Sequence, residues 1–71
     1  MKIAQYKGTH RMARVSEGTY FNKGKYIVSF YYDGYPDYEW KRGSHGIACT
    51  ICDTLAQAKR ISKYYIQKDN E

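Results

Sequence analysis

Apolar and polar positions along this chain change rhythm once, after Gly46. Up to that point glycines at 8, 18, 24, 34, 43 and 46 cut the sequence into short segments, and beyond it neither glycine nor proline occurs. Short segments between turn residues read as strands, and the uninterrupted stretch reads as a helix. The clearest strand is Lys25 to Tyr32 (KYIVSFYY), almost wholly β-branched or aromatic, a composition that fits a pleated, half-buried surface. Asn22-Lys23-Gly24 before it and Asp33-Gly34 after it are turn signals. The next run, Tyr35 to Arg42 (YPDYEWKR), alternates, and Pro36, which has no amide hydrogen, marks it as an edge or a strand start.

Turn length decides which faces of this hairpin meet. A two-residue Asp33-Gly34 turn pairs Ile27 with Trp40 and Ser29 with Tyr38. A three-residue Tyr32-Asp33-Gly34 loop, with Gly34 in a left-handed bulge, pairs Tyr26 with Trp40 and Val28 with Tyr38. The second register is preferred, because it separates a core face (Tyr26, Val28, Phe30, Pro36, Tyr38, Trp40) from a mixed outer one. That outer face carries Lys25, Ile27, Ser29, Tyr31, Tyr35, Asp37, Glu39 and Lys41. Upstream, Ile3 to Lys7 and Arg11 to Ser16 read as short strands, Thr19 to Phe21 as the approach to the hairpin, and Ile47 to Ile51 as a further short strand.

The helix is well specified. Thr54 and Gln57 form a T-x-x-Q capping box, with Asp53 as an alternative cap at the positive end of the dipole. Leu55, Ala58, Ile61, Ser62, Tyr65 and Ile66 follow in one stripe at helical spacing, while Lys59, Arg60, Lys63, Gln67 and Lys68 cover the other side. The predicted fold class is α+β: a small antiparallel β-meander of three to five strands packed against one C-terminal α-helix.

Composition adds limits. With 71 residues the chain makes one domain, spanning 1–71, and its 17% aromatic content offsets the small core that such a length allows. No stretch approaches the ~20 apolar residues of a membrane span, and no apolar segment follows a basic start, so a soluble cytoplasmic protein is expected. The net charge of +5 points to an anionic partner or to solubility.

Candidate chemistry is sparse. Cys49-Thr50-Ile51-Cys52, with His10 and His45, supplies the four ligands of a structural zinc. Thr50-Ile51, however, suits a strand, in which Cys49 faces inward and Cys52 outward, so that the two do not share a metal. Cys52 precedes a helix N-terminus, where a thiol is activated, but the βαβ setting of redox C-x-x-C motifs is missing. Two reduced cysteines and no cofactor are expected. No nucleophile stands beside a base at a recognisable spacing, Gly43-Ser44-His45-Gly46 is too short to cradle a phosphate, and the chain does not read as an enzyme.

The basic residues carry more. Lys23, Lys25, Lys41 and Arg42 gather at the end of the hairpin away from its acidic tip, and Lys41 to Gly46 (KRGSHG), with His45, forms a basic loop. Arg11 and Arg14 lie in the upstream strands, and Tyr31 adds a stacking surface. These eight residues make up the candidate nucleic-acid surface. Asp37 and Glu39 on the same outer face oppose laying that face on DNA.

Gly24-Lys25-Tyr26-Ile27-Val28, then Tyr38-Glu39-Trp40, then Thr54-Leu55-Ala56-Gln57-Ala58-Lys59 make a pattern that resembles the arm-type DNA-binding modules of phage and transposon tyrosine integrases. The likeness covers roughly residues 20 to 68. It implies a three-stranded antiparallel sheet on a C-terminal helix, with the sheet entering the major groove and Lys25, Tyr31 and Lys41 as contacts. This chain departs from the pattern in its acidic hairpin tip and its extra upstream strands. The competing expectation is a phage or mobile-element inhibitor or adaptor that grips a host nucleic-acid enzyme or defence complex. Asp33, Tyr35, Asp37, Glu39 and Tyr64 would then form the protein interface, Tyr64 as an exposed aromatic anchor on the basic side of the helix.

Overall fold

The computed structural model describes residues 2–40 and 48–70. The glycine-punctuated half forms a β-meander: β1 (Lys2–Lys7), β2 (Arg11–Glu17) and β3 (Tyr26–Tyr32) are joined by turns at 8–10 and 18–25. Neighbours pair antiparallel, β1 with β2 and β2 with β3. Two short strands, β4 (Tyr35–Pro36) and β5 (Cys49–Cys52), share the far edge of β3. β4 pairs with its C-terminal end and β5 with its N-terminal half. Helix α1 (Leu55–Gln67) and a 3-10 turn (Lys68–Asn70) close the chain. The α+β architecture is the one the sequence predicts.

Strand alternation decides what the helix covers. Ala13 and Val15 of β2 and Val28 and Phe30 of β3 point to one face and are fully buried against Ala58 and Tyr65 of α1. Small residues at 13 and 58 let the helix approach the sheet closely. Phe30 meets the Tyr65 ring edge-on at 4.9 Å, and Trp40 lies 5.1 Å from Tyr65. Full burial of a side chain such as Phe30 is worth about 2–3 kcal/mol.

The helix start is the predicted capping box with one change of partner. Gln57 N–H donates to Thr54 Oγ1 at 3.1 Å, and Gln57 Oε1 accepts in return from Asp53 N–H at 3.2 Å, one residue before the cap. Ala58, Ser62 and Tyr65 are the buried positions of the predicted stripe. No helix among the described residues is long and apolar enough to cross a membrane.

The hairpin differs from expectation. Tyr32 pairs with Tyr35 and Tyr31 with Pro36, the register of a two-residue turn, not of the preferred three-residue loop. Asp33 (φ 50°) and Gly34 (φ 86°) both take positive φ, as the tight turns that match strand twist require. The second strand then stops after Pro36 instead of running to Arg42. Asp37 N–H donates back to the Phe30 carbonyl at 2.9 Å, and Asp37 Oδ1 accepts from Trp40 N–H at 3.1 Å, so 37–40 curls away from the sheet edge. β5 fills the vacated edge. Pro36 and Tyr38, expected in the core, are exposed. The approach to the hairpin, expected over Thr19 to Phe21, is a 3-10 turn over Tyr20–Asn22 with Thr19 as its N-cap.

Candidate nucleic-acid interface

The register lays out the sheet face opposite the helix in three rows. Lys7, Met12, Tyr31 and Pro36 lie side by side across the sheet. Gln5, Arg14, Ser29 and Cys49 form the next row, and Lys2, Ser16, Ile27 and Ile51 the third. Three of these twelve positions are cationic and none is acidic. Arg14 is exposed, and its guanidinium lies over the Tyr31 ring, 5.5 Å from its centroid, which holds the fork in place above the sheet. Lys2 Nζ donates to Gln5 Oε1 at 3.3 Å, along the same edge strand.

The expected acidic interruption is not on this face. Asp37 turns inward, with its side chain 12% exposed, where its Oδ2 accepts from the Tyr65 hydroxyl at 2.7 Å. Glu39 is exposed on the loop beyond the sheet edge. The physical reason is the early end of β4: the alternation that put 37 and 39 on the outer face presumed a strand that is not formed.

Arg11 is also placed differently from expectation. Its parity is that of Ala13 and Val15, so it lies on the helix side, where its guanidinium sits over the rings of Tyr65, Trp40 and Tyr32 at 4.9, 5.5 and 5.4 Å. Asp69, from the C-terminal turn, faces Arg11 Nε at 3.3 Å, and Asp37 lies 3.9 Å from Nη1. Both nitrogens are buried and held by charge without hydrogen-bond alignment. Asp69 Oδ2 also accepts from His10 and Arg11 N–H, at 2.9 and 2.8 Å. Burial pushes the Asp69 carboxyl up, but those two N–H donors and the Arg11 guanidinium outweigh it and hold the group below the usual carboxylate range. Arg11 therefore ties the C-terminus to the meander.

Lys23 is exposed in the turn before β3. Lys25 Nζ meets Asp53 Oδ1 at 2.5 Å, and that hydrogen bond and charge lower the Asp53 pKa. Lys41, Arg42 and His45 lie outside the described residues. The structure thus brings Arg14 and Tyr31 together, leaves Lys23 and Lys25 at one end of the sheet, and puts Arg11 on the opposite face. The sequence reading missed Lys2, Gln5 and Lys7; their alternation in Lys-Ile-Ala-Gln-Tyr-Lys was the available signal.

The alternative interface residues cluster at the other end. Asp33 shares a 2.9 Å hydrogen bond with His10 Nδ1, and the His10 ring stacks on Tyr32 at 5.6 Å. Tyr35 is 76% exposed and Tyr38 46%. An open cleft of about 620 Å³ runs between Arg11, Tyr32, Tyr38, Glu39 and Trp40, with Asp37 and Pro36 also lining it. Tyr64, half-exposed on the helix, lies 5.9 Å from the Trp40 ring and takes Lys68 Nζ over its own face at 4.9 Å.

No family model matches the chain, and neither does any curated protein or solved structure. Cys49 and Cys52 are both buried thiols on opposite faces of β5. Their sides are the reverse of those expected: Cys52, level with Tyr26, joins the core, and Cys49, level with Ser29, belongs to the helix-free face. Burial pushes the Cys49 thiol up. Among the described residues no three metal-ligating side chains come together.

Proposed function

We propose that the protein binds nucleic acid, with duplex DNA as the principal form, through the helix-free face of its sheet and without catalysis. The observation that carries this reading is the carboxylate-free array of three rows with Lys2, Lys7 and Arg14 projecting from it. Phosphates attract such cations and release condensed counterions, which gives affinity that falls with salt. Arg14 and Gln5, adjacent in one row, have the donors that read base edges, and a two-stranded ribbon fits the major groove. The resemblance to arm-type integrase modules, which also use a sheet, agrees with this mode. Two reduced cysteines suit a cytoplasmic setting.

A second reading rests on the far corner, where Tyr35 and Tyr38 are exposed beside Asp33 and Glu39. That acidic, aromatic surface fits the basic groove of a host nucleic-acid enzyme, as an inhibitor or adaptor would use it.

The test is fluorescence anisotropy with labelled random duplex from 50 to 200 mM salt. Three phosphate contacts give a log–log salt slope of about −3, and Lys7→Glu with Arg14→Glu lowers the affinity and flattens the slope by about 2. Asp33→Lys with Glu39→Lys leaves DNA binding in place. No binding at 50 mM by the unaltered protein overturns the first reading and moves the search to protein partners of the acidic corner.

A further inference from the structure

The turn between β2 and β3 carries two aromatic side chains that stand almost wholly in solvent. Tyr20 is 90% and Phe21 99% exposed, although the core of so short a chain has every use for such rings. The backbone enforces this placement. Tyr20 adopts φ 53°, in the left-handed region that a bulky residue rarely enters. The turn is closed by Asn22 N–H to Thr19 O at 3.0 Å, Lys23 N–H to Tyr20 O at 3.2 Å and Gly18 N–H to Lys25 O at 2.9 Å. Gly18 packs so closely that a Cβ there would stand 2.0 Å from the Asn22 carbonyl oxygen. The rings are therefore carried by a hydrogen-bonded turn, and strain of this kind clusters at functional sites.

The position of the turn says what the rings meet. It follows Ser16 and Glu17 directly and so lies at the end of the sheet, beside the row of Lys2, Ser16 and Ile27. Lys23 and Lys25 follow the rings in the same connection and Lys2 is level with Ser16 before it, with Glu17 and Asp53 as the acids at this end, the latter engaged by Lys25. Flat rings next to a surface that holds phosphates match nucleobases, every one of which offers a π-face.

We propose that Tyr20 and Phe21 form a stacking wedge for nucleobases, so that the protein prefers duplexes containing an unpaired or easily unstacked base over uniform ones. This rests on the nucleic-acid reading of the sheet face. Apolar wedges of this kind enter base steps and are favoured where unstacking is cheap.

The test compares two labelled duplexes of the same sequence, one intact and one with a single-nucleotide bulge flanked by 2-aminopurine. The wild-type protein is expected to bind the bulged duplex on the order of tenfold more tightly and to change the 2-aminopurine emission on binding. Tyr20→Ala with Phe21→Ala is expected to abolish both the preference and the emission change, leaving the salt slope on intact duplex unaltered. Because both rings are in solvent, this variant keeps its fold, checked by its melting curve. Tyr20→Gly with Phe21→Ala, which also relieves the positive φ, repeats the result with equal or greater stability. Equal binding of both duplexes by the wild type, or an unchanged preference in the variants, overturns the wedge and leaves the sheet face standing. No binding to either duplex overturns both readings. Ring-dependent binding to phosphatidylcholine–phosphatidylglycerol vesicles without duplex discrimination also overturns the wedge.

Discussion

Asp37 and Tyr65 act as a pair that strand alternation alone does not foresee. The run Pro36-Asp37-Tyr38-Glu39-Trp40 alternates in the sequence, so Asp37 reads as solvent-facing, yet its partners come from the helix and from β2. Tyr65 is fully buried, and its one hydroxyl hydrogen is shared between Asp37 Oδ2 at 2.7 Å and the Tyr31 carbonyl at 2.9 Å. Burial first, and then the hydrogen bond to the Asp37 carboxylate, raises the phenol pKa well above its ordinary value of about 10. Tyr65→Phe removes the hydroxyl and leaves a carboxylate and a carbonyl short of a donor, an expected loss of about 2 kcal/mol in urea unfolding at pH 7. The sign of the pH dependence follows from the raised folded pKa. The hydroxyl's contribution is complete below pH ~10 and is lost as the pH rises further, because the unfolded chain ionises first. The stability gap between wild type and variant therefore narrows above about pH 10, and a gap that stays constant there would contradict the assigned bond.

At the scale of elements, the parts set by local chemistry were legible. The Thr54-to-Gln57 capping box, the helical stripe through Tyr65 and the turn at Asp33-Gly34 are all present. What the sequence did not convey was competition for one edge of β3. Segregating apolar from mixed faces favoured a long hairpin, but the two-residue turn puts Trp40 opposite Ile27, and the chain instead curls through Asp37 and gives that edge to β5. The C-terminal turn is not legible either, because nothing in Lys-Asp-Asn announces that Asp69 will cap the β1–β2 connection. Gly8 is part of that joint: a Cβ there would lie 2.4 Å from Asp69 Oδ2. Asp69→Asn should lower the melting temperature at pH 7. The native carboxyl has a lowered folded pKa, so its contribution is present above about pH 4 and disappears as the pH falls through the folded value. Wild-type and variant melting temperatures should therefore converge in acid; a difference that persists at pH 2 would assign the effect to packing.

Over the whole molecule, charge is sorted by face and by end. The helix-free face carries Lys2, Lys7 and Arg14, the exposed side of the helix carries Lys59, Arg60 and Lys63, and Asp33 and Glu39 stand at the corner beside the hairpin turn. This separation is hidden in the sequence by Asp37 and Glu39, which read as dividing the sheet face; Asp37 turns inward and Glu39 stands on the loop beyond the sheet edge. The Lys7/Arg14 and Asp33/Glu39 charge reversals consequently act on surfaces that share no side chain, so their effects on DNA affinity should be independent. β5 has a consequence of another kind. It is a four-residue edge strand with a buried thiol on each side, Cys49 under the proposed interface and Cys52 in the core. Back-to-back sulfurs on one extended segment do not close on each other, and burial makes the Cys49 thiol a poor nucleophile at neutral pH. Covalent labelling by a thiol reagent then requires β5 to leave β3, so the labelling rate is a clock for edge-strand opening. Both sulfurs should react together if the strand detaches as a unit. DNA seated on the sheet face should slow the clock, a readout of binding that needs no fluorophore on the DNA.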